Sequence, residues 1–89
     1  MLNPVRSSQF KKDLKKARRQ GKDLNLLQAV VTTLADEEPL EECFRDHGLT
    51  GNWRGYRECH VNPDWLLIYK VDGEELKLAR LGSHSELFA

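Results

Sequence analysis

The period of the apolar positions changes along this chain and divides it into a helical half and a strand half. Phe10, Leu14 and Ala17 recur at i, i+4 and i+7, the spacing of one helix face, with lysines and arginines around them. The hydroxyl of Ser7 or Ser8 can cap this helix, and Gly21 can end it. Asp23 can start a second helix whose stripe is Leu24, Leu27, Val30 or Val31, and Leu34. The pattern predicts two antiparallel helices joined by a tight turn at Gly21. Ahead of them, residues 2–6 predict a short opening strand, weakened by Pro4, which has no N–H for a ladder.

Residues 36–52 are acidic and contain Pro39, Gly48 and Gly51, the composition of a surface loop with room for one extra turn. Beyond them the period becomes two. Trp53–Val61, Trp65–Val71 and Glu75–Leu81 are rich in aromatic and branched residues and read as strands. Asn62-Pro63-Asp64 separates the first pair, and Asp72-Gly73 is a hairpin signal because these residues tolerate positive φ. The expected architecture is α+β in the order β-α-α-β-β-β, with two helices packed on one face of a small, mainly antiparallel sheet. Residues 83–89 are too short for an independent element and are expected to fold back as a terminal turn.

Size narrows the possibilities. Eighty-nine residues fit one domain spanning 1–89 with a modest core, which argues against a deep enzyme built around a large cofactor. The densest apolar run, Trp65–Tyr69, is strand-sized and far below the ~20 residues of a membrane helix. The N-terminus lacks the charged-then-apolar layout of a signal peptide. A soluble, cytoplasmic protein with no membrane partner is expected. Cys43 and Cys59 form neither a disulfide framework nor a CxxC metal motif, and free thiols are expected.

Charge sharpens the picture because a zero net charge conceals three blocks. Residues 1–22 carry eight Lys/Arg against Asp13 alone, residues 23–50 are strongly acidic, and residues 51–89 are nearly balanced. A solvated helix face is the ordinary explanation of the first block, and a polyanion partner is the sharper one.

All three histidines fall in the second half. His60 ends one strand, His84 follows the last, His47 lies in the loop, and Asp64 sits in the turn after His60. Antiparallel pairing brings the end of the first strand, the start of the second and the end of the third to one edge. His60, Asp64 and His84 should therefore converge there beside Arg54, Arg57 and Arg80, with His47 within reach of the loop. Imidazoles that titrate near neutrality beside a carboxylate form a plausible acid–base set. Taken singly, each has a duller reading as a solvated histidine or a turn aspartate. No close ligand pair such as HxxxH is present, so neither a metal nor another cofactor is expected. Trp65 reads as core. Trp53, Tyr56 and Phe88 read as half exposed, and Phe88 is the aromatic best placed to contact nucleic acid.

From Asp46-His47 through the Gly51–Val61 and Pro63–Lys70 segments to Gly82–Phe88, about half the chain resembles the YafQ-type toxins of bacterial toxin–antitoxin modules, within the RelE/ParE superfamily. The helical half is similar in pattern only, including the Lys22-Asp23-Leu24 junction. Leu81 and Ser83 depart mildly from the family pattern, at positions that bear on the His84 turn. The resemblance implies a RelE-like fold and a ribosome-dependent endoribonuclease that cuts mRNA in the decoding site and is neutralised by an antitoxin. It implies a catalytic set of His47, His60, Asp64 and His84, supported by Arg80 and Phe88, with His84 as principal proton donor to the leaving 5′ oxygen. On that reading Lys11, Lys12, Lys15, Lys16, Arg18 and Arg19 would hold ribosomal RNA. Two alternatives remain: a ParE-like toxin that poisons gyrase, and a non-catalytic RNA- or partner-binding module.

Overall fold

The computed structural model describes residues 1–88. Its elements are β1 (Asn3–Arg6), α1 (Ser8–Arg19), α2 (Leu24–Ala35), β2 (His47–Gly48), β3 (Arg57–Asn62), β4 (Trp65–Asp72), β5 (Glu75–Gly82) and α3 (His84–Phe88). The helix ends fall where the sequence marks them. Ser7 Oγ accepts from the Phe10 N–H at 2.9 Å, and the Asp23 carboxylate accepts from Asn25 and Leu26. Gly21, at φ +75°, closes α1 in a Schellman motif: Lys22 N–H reaches Ala17 O and Gly21 N–H reaches Arg18 O.

The five strands form one sheet in the order β1-β5-β4-β3-β2. β1 lies parallel to β5, and every other pairing is antiparallel. Two bulges tune the sheet. Partners shift past Val61 between β3 and β4, and past Ala79 between β4 and β5. The second lets Leu76, Leu78 and Leu81, which do not strictly alternate, all enter the helix-side core. That core sets Trp65, Leu67 and Tyr69 of β4 against Phe10, Ala17, Leu27, Val30 and Leu34 of the helices. Each fully buried large side chain there is worth ~1.5–3 kcal/mol.

The opposite face is covered more thinly. Leu66 and Ile68 of β4 pack there under Leu87 of α3 and under Leu49, Trp53 and Tyr56 of the connecting segment. Several expectations are corrected. The first long strand starts at Arg57, not Trp53, because Gly51–Trp53 closes a 3-10 turn. The acidic loop contributes β2, which adds a fifth strand by pairing His47 with Glu58 and Gly48 with Arg57. The C-terminal turn is a short helix. In the β4–β5 hairpin Asp72 pairs with Glu75, so the two turn residues are Gly73 and Glu74. Only Gly73 takes positive φ, the pattern of a type II′ turn.

α1 also completes an edge that β1 leaves open. β1 pairs only with Glu75–Leu78. Past that point Ser7 Oγ donates to Ala79 O at 2.9 Å, and the Asp13 carboxylate accepts from Leu81 N–H at 3.0 Å. Asp13 is 9% exposed, buried within a helix whose other ionised side chains are basic. A backbone N–H on a free strand edge needs an acceptor, and this carboxylate supplies it.

Candidate active site

Strand alternation decides which residues share the thinly covered face. Cys59 and Val61 of β3 point into the helix-side core, so Glu58 and His60 point the other way. The register then carries His47 of β2 beside Glu58. Glu58 is only 4% exposed, and its Oε1 lies 3.2 Å from His60 Nε2 and 3.7 Å from His47 Nε2. The two imidazole centroids are 6.4 Å apart. His60 Nδ1 faces Pro63 O at 3.3 Å, and His47 Nδ1 faces Arg45 O at 2.7 Å. A carbonyl can only accept, so each Nδ1 carries hydrogen and each Nε2 is left to the carboxylate. The cluster can hold a proton between ring and carboxylate.

The segment before His47 is tied down from the helix side. The Tyr69 hydroxyl donates to Asp46 Oδ1 at 2.6 Å, and Arg57 Nε donates to the same oxygen at 3.2 Å. Burial, then the Asp46 carboxylate, pushes the Tyr69 phenol well above its usual range. Just upstream, Arg45 takes the left-handed conformation at φ +48°, which turns its carbonyl toward His47. The buried Cys59 thiol is pushed up to about 12 by desolvation, so it is not a nucleophile. A hollow of about 330 Å³ opens beside His60, lined in part by Phe44, Arg45, Asn62 and Pro63.

Across the sheet lies a second group. His60 pairs with Leu66, and Leu66 pairs with Gly82, so His60 and Gly82 stand two strand spacings apart, about 10 Å. His84 follows Gly82, and its backbone N–H donates to Asp64 Oδ1 at 3.3 Å. The His84 and Phe88 rings, one helical turn apart on α3, lie 5.1 Å apart. Phe88 is 37% exposed. The structure thus gathers His47, His60, Asp64 and His84 along one sheet edge, as two subsets flanking a buried Leu66 floor.

The supporting residues sit differently. Arg80 is turned toward α1, where Nε donates to Asp13 Oδ2 at 2.8 Å and Nη2 reaches Oδ1 at 3.4 Å. Its Nη1 has no hydrogen-bond partner among the described residues. Lys11, Lys12, Lys15, Arg18 and Arg19 are exposed on α1. Lys16 is not a free cation like these: its ammonium pairs with Glu86 of α3. That contact, and a hydrogen bond from the Ser83 N–H, hold the Glu86 carboxyl down to about 2. Lys12, Lys16, Arg19, Arg80 and Glu86 border a groove of about 470 Å³ between α1 and α3.

Sequence reasoning passed over Glu58, Asp13 and Glu86. Glu58 had a signal, since it stands two residues before His60 and so shares its face. Asp13 had one as well, as the single acid in a basic block. The pairing of Lys16 with Glu86, 70 residues apart, had none.

Two helices on one side of a five-stranded sheet, with histidines and carboxylates collected on the other, define a small α+β protein. That class narrows on comparison. The chain belongs to the family of bacterial toxins of type II toxin–antitoxin systems described as YafQ, which matches residues 2–89. An mRNA interferase toxin YafQ of Escherichia coli strain K12 is 45% identical over 83 residues, covering 92% of this chain and 90% of that protein. A copper-bound mutant toxin from Helicobacter pylori superposes with a TM-score of 0.96 at 48% identity, covering 99% of this chain and all of that one. A chain of the Escherichia coli DinJ–YafQ toxin–antitoxin complex gives 0.90 at 42% identity, covering 99% and 98%. The copper in the Helicobacter protein makes a metal worth testing against these residues. Among the described residues, no group of three or more His, Cys, Asp or Glu is arranged to hold one. No described helix is long and apolar enough to cross a membrane.

Proposed function

We propose that this YafQ-family chain acts as one toxin domain, an endoribonuclease that cuts mRNA on the translating ribosome and is held in check by a cognate antitoxin. The observation that carries this reading is the pair of subsets facing each other across Leu66: Glu58 with His47 and His60 on one side, His84 with Asp64 and Phe88 on the other. In-line cleavage needs proton transfer at opposite sides of phosphorus, to and from oxygens on either side. The two strand spacings between His60 and Gly82, about 10 Å, are on the scale of a ribose-phosphate.

The Glu58–His60 couple accepts the proton of the 2′-hydroxyl. The 2′-oxygen then bonds to phosphorus as the P–O5′ bond breaks, and His84 donates a proton to the departing 5′-oxygen. The products are a 2′,3′-cyclic phosphate and a 5′-hydroxyl. His47 and the open Nη1 of Arg80 supply positive charge to the pentavalent phosphate. Asp64 holds the backbone at His84, and Phe88 packs on its ring and offers a stacking face to a base. Exposed cations of α1 bind rRNA phosphates. No metal takes part in these steps. An enzyme with this substrate works in the cytoplasm.

Codon-resolved mapping of mRNA ends in a purified translation system with magnesium present tests this reading. Cuts within ribosome-covered codons, bearing cyclic-phosphate ends and persisting when zinc and copper are chelated, are expected. Gyrase–DNA adducts without mRNA cuts would instead make the protein a ParE-like poison. Ribosome binding without either would make it a binding module.

A further inference from the structure

We propose that Lys16 and Glu86 are positioning residues for His84, their ion pair clasping α3 to α1 and thereby setting the direction of the His84 ring. This rests on the acid role of His84 proposed above. α3 has five residues, and isolated helices shorter than about 12–15 residues are marginal in water. Its order must come from outside itself. Leu87 anchors it in the apolar layer over Leu66 and Ile68. Ser83 and Glu86 cap each other: Ser83 N–H donates to Glu86 Oε1 at 2.8 Å, and Glu86 N–H donates to Ser83 Oγ at 3.2 Å. The remaining carboxylate oxygen, Oε2, takes the ammonium of Lys16.

One carboxylate thus joins the turn that precedes His84 to a helix already bonded along β5 through Ser7 and Asp13. The packing leaves little slack. A Cβ added at Gly82 would lie 3.2 Å from Glu86 Oε1 and 3.3 Å from Leu87 Cδ2. His84 falls between Ser83 and Glu86, so any rotation of α3 swings its ring. Among the described residues, Lys16 alone of the basic set on α1 forms an ion pair. It therefore belongs to the α3 clasp and not to the rRNA contacts.

The test compares Lys16→Met, Glu86→Gln, the double variant and Lys16→Arg with the parent chain. Gln retains the cap to Ser83, so Glu86→Gln removes the charge of the clasp and little else. Three readouts separate the alternatives: single-turnover cleavage at saturating ribosomes, the salt dependence of ribosome binding, and the NMR shifts of the His84 ring protons beside Phe88. Each single change should slow cleavage about three- to fivefold, as expected for a partly exposed ion pair, and move the His84 signals. The double should be no worse than the poorer single, Lys16→Arg should recover most of the rate, and the salt slope should stay put. A slope lowered by about 1 in Lys16→Met, with His84 signals unmoved, would make Lys16 a phosphate contact and overturn the clasp. Additive rate losses would overturn it too. A parent chain that never cuts RNA, with His84 signals still moving in both singles, would refute the nuclease and uphold the clasp.

Discussion

His60 stands on a strand inside the sheet above a buried carboxylate, whereas His84 stands on a five-residue helix held by a reciprocal cap and one partly exposed ion pair. The strand side is fixed by ladder bonds and by the Tyr69–Asp46–Arg57 contacts beneath His47. The helix side depends on few contacts, several at the surface. The difference suits the proposed chemistry. A group that accepts a proton from the attacking 2′-hydroxyl profits from a rigid, partly desolvated neighbour. A group that must reach a departing oxygen can ride on a small element, provided something sets its angle.

The largest loss is expected from His84→Ala. An exposed helix-start histidine contributes little packing, so the fold should persist while cleavage falls ~10²–10⁴-fold, the worth of a general acid. A folded His84→Ala protein that cuts at the parental rate would remove the helix side from the mechanism. Next comes Glu58→Gln, which keeps the shape but not the charge under His47 and His60. Cleavage should drop about 10–100-fold in single-turnover assays. An unchanged rate would reduce Glu58 to scaffolding. The smallest effect on rate is expected from Tyr69→Phe, which deletes the hydroxyl bonded to Asp46 and leaves Arg57 in place. It should cost about 1–2 kcal/mol, a melting temperature lower by roughly 4–15 °C, with cleavage down only a few-fold. A hundredfold loss with normal stability would mean that the position of His47 is as finely set as that of His84.

Much of this was legible along the chain. The two helices, their caps at Ser7 and Asp23 and the stop at Gly21 follow from residues a few positions apart. So does the expectation that His60, Asp64 and His84 meet at one edge, because antiparallel order alone brings those strand ends together. His47 reads as a loop residue, since two residues of β2 carry no periodic signal. Trp53 reads as a strand residue because an aromatic at the right parity looks the same in a strand or in the turn before one. The terminal segment read as a turn because five residues cannot announce a helix without knowing what will hold it.

Read along the chain alone, the residues fix where the two long helices start and stop and that three strand ends bring His60, Asp64 and His84 to one edge. The helix ends depend on local steric and hydrogen-bonding preferences that act within one or two turns of chain. The partners come from the folded chain: Asp13 for Leu81 and Arg80, Glu58 for two imidazoles, Asp46 for Tyr69, Lys16 for Glu86. A charge on a periodic pattern shows that it wants a counterpart, and not which of many distant ones will lie beside it. The bulges past Val61 and Ala79 change which residues oppose each other by one step, and no local preference reports them. Partner choice is a property of chains laid side by side, so it emerges only when the sheet has closed and α1 has settled along the open edge of β5.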